Sequence, residues 1–363
     1  MTSHGRVRDV PNLRAGLVGH GAMGRNHARV LSELEGVDFV GIVDPDAKQA
    51  RAVVFDDLDA LIDHGIDYCI IAVPTLQHEE IGLRLADAGV HALVEKPLAQ
   101  DSASALRLAE AFEQAALIGA VGHIERFNPA LRQARARMAN GDLGDILQIT
   151  TRRQGPFPDR IADVGVVKDL ATHDIDLTAW VAQSDFVSVA AQVAHRSGRE
   201  HEDLVSVVGH LSDDTITNHI VNWLSPFKER MTVVTGEKGA FVADTLHADL
   251  TFHANGVVPT QWDDVARFRG VSEGDVVRFA IPKPEPLRTE HENMRDAVCG
   301  LTSDIVTMRD GLQTVVVAEA ILRSAATKTS VEVVEGVGGE SPWSGLGRSA
   351  CRWPFNTLAR VTR

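Results

Sequence analysis

The glycine-rich stretch Gly19-His20-Gly21-Ala22-Met23-Gly24 constrains the fold more than any other part of the chain. An apolar strand over 14–18 runs straight into it, and a helix starting near Ala22 runs out of it. In such a turn the first glycine permits the sharp bend, the second lets a diphosphate approach the backbone, and the third allows close helix-strand packing. The helix then offers unpaired N–H groups to phosphate. The next apolar run ends in Asp44, about 20 residues past Gly24. A carboxylate there suits both hydroxyls of an adenosine ribose and repels a 2'-phosphate, which predicts NAD rather than NADP. Gly19, Gly21, Ala22, Met23, Gly24 and Asp44 are the expected cofactor contacts at this end; a plain glycine-rich turn and a solvated strand end are the bland alternatives.

Further βα units follow: a strand over 66–73 with a helix over 77–88, a strand over 91–96 with a helix over 102–114, and a strand over 117–122. Their near-continuous apolar character fits a parallel sheet covered on both faces. The fold class is therefore α/β, with a doubly wound first domain over 13–122. Within it, Ala92-Leu93-Val94 ends abruptly in Glu95-Lys96-Pro97, which delivers an acid and a base to the carboxyl edge, where open α/β sheets place their ligands. Pro74, Thr75 and His78 reach the same edge and join Glu95 and Lys96 as expected cofactor contacts. A local role at a helix start suits His78 equally well. His78-Glu79-Glu80 begins like HExxH, but position 82 is glycine, so that zinc motif is absent.

After Gly122 short strands predominate: 146–154, 186–193, 204–211, 215–223, 230–235 and 239–244, with a helix over 129–140. Helices over 286–299 and 308–324 and a strand over 330–334 close the pattern. This predicts an α+β second domain over 123–335 built on a large, mainly antiparallel open sheet. A flexible arm is expected over 1–12. A disordered tail is expected over 336–363, the alternative being an arm anchored on a neighbouring subunit by Trp343 and Trp353.

The net charge of -14 opposes nonspecific nucleic-acid binding, so no nucleic-acid partner is expected and an anionic ligand needs a local basic pocket. No apolar run is long enough to span a bilayer, the first residues carry no signal-like apolar core, and the three cysteines form no CxxC pair. These features predict a cytoplasmic protein without a membrane partner or structural metal.

In Lys168-Asp169-Leu170-Ala171-Thr172-His173 the acid and the imidazole are four apart, so on a helix they face one way. Asp169 would then orient His173 and support its charged form, His173 would take a hydroxyl proton, and Lys96 would stabilise the developing alkoxide. Taken singly, the pair also reads as a surface helical contact and Lys96 as a strand-end salt bridge.

The glycine motif, the Glu95-Lys96-Pro97 strand end and Asp169 with His173 together resemble the Gfo/Idh/MocA oxidoreductases over residues 13–335. The resemblance implies the catalytic set Lys96, Asp169 and His173, a Lys96-Pro97 bond that is often cis, and an open sheet that pairs subunits into a homodimer or homotetramer. Val121-Gly122-His123-Ile124-Glu125-Arg126-Phe127-Asn128-Pro129, with Arg152 to Pro158, Asp163 to Val167 and Val221 to Pro226, is similar to the branch acting on nucleotide sugars, such as UDP-N-acetylglucosamine 3-dehydrogenases. Lys168 stands where that branch usually has an aliphatic residue. The substrate implied is a UDP-N-acetylhexosamine or related nucleotide sugar, oxidised at a ring carbinol, C3. Arg126, Arg152 and Arg153 then suit a diphosphate, because guanidinium forks match phosphate oxygens. Glu125 and Asn128 suit sugar hydroxyls or an acetamido group, and Asn128 equally suits a helix cap. Trp223 reads as a sugar platform or as sheet core. An inositol or free-sugar dehydrogenase and a non-catalytic dinucleotide-binding regulator remain as alternatives.

Overall fold

The computed structural model describes residues 12–47, 52–158, 164–256 and 273–333. The first sheet contains β1 (Leu13–Val18), β2 (Val37–Val43), β3 (Val54–Phe55), β4 (Tyr68–Ile71), β5 (His91–Glu95) and β6 (Gly119–Gly122). All pairings are parallel and the order is β3-β2-β1-β4-β5-β6. Every residue of β4 is fully buried, which explains why these strands read as unbroken apolar runs. The strand order reverses beside β1, and this opens a crevice at the carboxyl edge. Helices α1 (Ala22–Glu33), α2 (Leu58–Asp63), α3 (His78–Asp87) and α4 (Ser102–Gln114) supply the crossovers.

Gly19 has φ 93°, and a Cβ on it would lie 2.4 Å from the Ala72 carbonyl oxygen. A Cβ on Gly24 would lie 2.0 Å from the Gly19 carbonyl oxygen. Only glycine lets α1 start this close to β1.

Beyond β6 the chain forms α5 (Pro129–Ala139), β7 (Ile146–Pro156), a π-helical turn (Val167–Ala171), α6 (Thr172–Ala182), β8 (Phe186–Ala194), β9 (Leu204–Leu211), β10 (Ile216–Asn222), β11 (Leu224–Gly236), β12 (Gly239–Asp244), β13 (Asp249–Asn255) and β14 (Glu273–Arg278). It ends with α7 (Pro286–Val298), α8 (Met308–Thr327) and β15 (Val331–Glu332). The nine-stranded sheet runs β14-β13-β12-β11-β7-β10-β9-β8-β15 and is antiparallel except between β7 and β10. Its inner face carries the core: Ile149, Val234 and Phe241 pack on Ala130, Leu131, Leu177 and Trp180 of α5 and α6. The outer face leaves Val208, Ile216 and Ile220 exposed.

The first sheet ends with Gly122 and the second begins with Ile146, but the hydrophobic cores cross between them. Met294 of α7 is fully buried with Ala15, Leu17, Ile70 and Leu93 of the first sheet. In α8, Met308, Leu312, Val315 and Val316 pack with Val94, Leu108 and Val121, whereas Val317 and Ile321 pack with Val205 and Val221 of the second sheet. Periodicity reports that a helix has a buried face, not which distant strands cover it. The tail expected over 336–363 and the arm over 1–12, apart from Asn12, lie outside the described residues. Among the described residues no helix is long and apolar enough to cross a membrane.

If α7 completes the first core, Met294→Ala will cost about 2–5 kcal/mol, the usual range for truncating a buried Met. Urea denaturation measures this, and an unchanged midpoint would detach α7 from that core.

Candidate active site

The glycine turn and the end of β2 are tied together. The His20 N–H donates to Asp44 Oδ2 at 2.5 Å, the Asp46 N–H to Asp44 Oδ1 at 2.7 Å, and the Gly19 N–H to the Val43 carbonyl at 2.9 Å. Gly21 caps α1 with no side-chain acceptor, and a Cβ there would meet nothing within 4 Å. Bare N–H groups of Ala22 and Met23 beneath open space, flanked by Asp44, fit the diphosphate and ribose of a dinucleotide. Pro74 and Thr75 lead into the short 3-10 turn Thr75–Gln77 on the same edge.

His78 takes its local role instead of facing a cofactor. Its ring is buried, with Nδ1 3.0 Å from the Pro97 carbonyl and Nε2 3.0 Å from the Val73 carbonyl; burial lowers its pKa, and in the neutral form one nitrogen donates to one of these carbonyls.

The Lys96-Pro97 peptide is cis. Glu95 is buried beneath it, accepting from His27 Nε2 at 2.9 Å and from the Lys96 backbone N–H at 3.1 Å. Burial alone would raise this carboxyl, but the hydrogen bond and charge of His27, together with Lys96, outweigh it and hold Glu95 below the ordinary carboxylate range. His27 Nδ1 lies 2.9 Å from His291 Nε2. With Glu95 ionised, His27 donates to it through Nε2, whichever ring carries the proton between His27 Nδ1 and His291 Nε2. This support from α1 and α7 escaped the sequence reading, although His27 lies three residues past Gly24 on the buried face of α1.

Lys96 Nζ donates to the Asp169 carbonyl at 2.7 Å and to Asp169 Oδ1 at 3.1 Å. Asp169 therefore pairs with Lys96 at the π turn through Val167–Ala171, and it makes no hydrogen bond to His173. His173 Nδ1 and Asp169 Oδ2 are buried without a partner. Burial first, then the charges of Lys96 and Arg153, hold the His173 pKa well below its ordinary 6.5. The imidazole is thus kept neutral, the opposite of the expected support for its charged form.

Arg126 and Arg153 are both committed to carboxylates. Arg126 Nε and Nη2 reach Asp176 at 2.9 and 2.6 Å, with Asp310 3.4 Å away. Arg153 Nη1 reaches Glu125 Oε1 at 2.8 Å and its Nε reaches Asp174 at 3.0 Å. Arg152 lies on the outer sheet face, opposite Ile220 and Met231, and pairs with Glu229 at 2.7 Å. The diphosphate role expected of these arginines is corrected accordingly: two are neutralised under the sheet, and strand alternation points the third away.

Asn128 caps α5 by accepting from the Ala130 N–H at 3.1 Å, and its amide donates to the Thr245 carbonyl at 2.9 Å. Trp223 is core, 3% exposed and edge-on to Phe157 at 5.3 Å between centroids. Lys168 Nζ donates to the Gln100 carbonyl at 2.7 Å.

Two residues of the chamber were missed. His123 follows β6 as Lys96 follows β5, with Glu95 and Gly122 in register; neither of its buried ring nitrogens has a hydrogen-bond partner, and Nδ1 lies 3.8 Å from Asp176 Oδ2. Arg230 of β11 lies opposite Arg153 on the inner face. Asp169 Oδ2, His173 Nδ1, Glu125 Oε2 and both His123 nitrogens thus form a cluster of unsatisfied buried polar atoms. Each costs about 1–3 kcal/mol unless a ligand meets it. The arrangement suits a hydroxyl-rich substrate beside a neutral base and an ammonium.

Residues 13–123 match the oxidoreductase family with an NAD-binding Rossmann fold, Gfo/Idh/MocA, and residues 131–242 match its C-terminal domain. The chain belongs to the Gfo/Idh/MocA family. UDP-N-acetylglucosamine 3-dehydrogenase of Acidithiobacillus ferrooxidans is 30% identical over 214 residues, 57% of this chain and 66% of that protein, so the match spans just under two thirds of that relative. Inositol 2-dehydrogenase 2 of Saccharopolyspora erythraea is 28% identical over 344 residues, 88% of this chain and 95% of that protein. The solved structure of the Acidithiobacillus ferrooxidans enzyme, GnnA, superposes with TM-score 0.78 at 23% identity, covering 87% of this chain and 98% of that one, a likeness of fold.

For this Gfo/Idh/MocA member, Gly21→Val is expected to keep the melting temperature but weaken NADH binding at least about tenfold, a loss of about 1.4 kcal/mol. Gly24→Val should damage both. Fluorescence titration of NADH decides it: undiminished affinity in Gly21→Val would take the loop out of the cofactor site.

Proposed function

We propose that this chain is an NAD-dependent dehydrogenase that oxidises a ring carbinol, with Lys96, Asp169 and His173 as its catalytic set. The observation that carries this reading is the neutral, unpartnered His173 imidazole near an ammonium anchored by Asp169. His173 takes the hydroxyl proton as a general base. The Lys96 ammonium has three N–H donors, and with two held by Asp169 the third stays available to the carbinol oxygen as negative charge develops. Gly19, Gly21, Ala22, Met23, Gly24, Asp44, Pro74 and Thr75 would hold NAD along the sheet edge, where it would supply the hydride acceptor. Glu95 acts beneath that edge by fixing the Lys96 backbone.

The substrate we favour is a UDP-N-acetylhexosamine or related nucleotide sugar oxidised at C3. Support comes from the long motif around His123 to Pro129 and from the similarity to the Acidithiobacillus enzyme. A specific observation favours a second reading, an uncharged polyol such as an inositol: the arginines expected at a diphosphate already have carboxylate partners. Glu125 Oε2 serves a ring hydroxyl in either case. We further propose a homodimer or homotetramer paired through the outer sheet face around Val208, Ile216 and Ile220.

NADH formation with UDP-N-acetylglucosamine but not with myo-inositol is the expected result, and the reverse would select the polyol. His173→Asn should lower kcat by about 10²–10⁴-fold while leaving NAD affinity intact. His173 is active when deprotonated, so its lowered pKa keeps kcat/KM flat through neutrality and places the acid limb below about pH 6.5. A limb at or above that pH, abolished by His173→Asn, would contradict the assignment.

A further inference from the structure

We propose that Arg230 is a specificity-determining anchor for an anionic group of the substrate, a phosphate or carboxylate carried beside the ring that reacts at His173. The proposal rests on the dehydrogenase reading for its substrate, but Arg230 is identified from the sheet itself.

Arg230 and Arg153 are direct cross-strand partners on β11 and β7. Both point to the inner face, in phase with buried Thr232 and Thr151. Like charges directly opposite one another destabilise a sheet, so such a pair calls for neutralising partners. Arg153 has them in Glu125 and Asp174. Lys96 has Asp169, and Arg126 has Asp176 and Asp310. Among the described residues Arg230 has none: its contacts are Nη1 to the Gln154 carbonyl at 2.7 Å and to the Glu229 carbonyl at 2.9 Å.

Those two bonds use the N–H groups of Nη1 and fix the plane of the guanidinium. The Nε and Nη2 edge retains its donors without a partner among the described residues. That edge presents parallel N–H groups, the geometry that grips a carboxylate or phosphate in bidentate fashion. Burial and then the charge of Arg153 push the Arg230 pKa down, while Asp174, Glu125 and Asp169 act in the opposite direction. Arg230 in turn helps depress His173, so its charge reaches the reacting imidazole. The protein's net charge of -14 repels an anion at long range, and a cation without a carboxylate partner within the chamber supplies the local attraction such a substrate needs.

The test is a calorimetric titration of NAD-loaded wild type, Arg230→Gln and Arg230→Lys with UDP, D-glucuronate and myo-inositol. Wild type should bind at least one anion, and Arg230→Gln should weaken that binding about 10- to 100-fold, the scale of a lost charge-assisted contact. Affinities for myo-inositol and NAD should remain unchanged. Arg230→Lys, which keeps the charge but not the fork, should fall between the two. Loss confined to UDP identifies a diphosphate, and loss confined to glucuronate identifies a carboxylate. Wild type binding neither anion, or equal losses for the anions and myo-inositol, would overturn the proposal. A second measurement needs no variant: phenylglyoxal should modify Arg230 in the wild type, and UDP or glucuronate should protect it, as read by peptide mass spectrometry. Absence of protection overturns the anchor. None of these readouts requires turnover, so Arg230-dependent anion binding without NADH formation would keep the anchor and refute the dehydrogenase reading.

Discussion

The ion pair between Lys96 and Asp169 is the contact on which the candidate site depends. It joins the end of β5 in the parallel sheet to the π turn that leads into α6, so the two domains meet at one ammonium. Both side chains are nearly buried, 14% and 7% exposed, and removing one partner would strand the other charge in a poorly solvated place. The pair therefore fixes where the domains meet as well as where an ammonium can face a substrate. His173 inherits its character from the same contact, since the nearby lysine charge and burial keep the ring neutral.

Around this pair the protein separates cations by their surroundings. Alternation along β7 sends Arg153 inward and Arg152 outward, although the two are adjacent in the chain. Beneath the sheet, Arg153 and Arg126 become parts of buried carboxylate networks that hold the 3-10 turn Ile124–Phe127 and α6 against β7. Such networks give little net stability over apolar packing, but they define a single arrangement of the chamber wall. Arg230 differs because its partners are backbone carbonyls.

Helix α8 performs a related task in the core. One half packs beneath the parallel sheet and the other beneath the open sheet, so the orientation of the two sheets is set by a rigid element inside both cores. Met294 of α7 and the His291 contact to His27 add a second return from the C-terminal part to the first domain. The Glu95 carboxylate is thus supported by His27 near the beginning of the chain and, through it, by His291 from the C-terminal part.

Much of this was legible before any coordinates. The glycines at 19, 21 and 24 fit a tight strand-to-helix turn, unbroken apolar strands fit burial on both faces, and many short strands with few helices after Gly122 fit an open, mainly antiparallel sheet. Those are local constraints, carried by sterics and composition, and the sequence by itself determined the fold class, the glycine turn and the edge holding Lys96. What only the tertiary structure decided were the partners. Asp169 meets Lys96 from the other domain, His78 is enclosed by two carbonyls, and the arginines are sorted by sheet face and by carboxylates far away in sequence. A side chain's type states which interactions it can make, whereas its charge state and its partner depend on groups that long-range packing brings within a few ångströms.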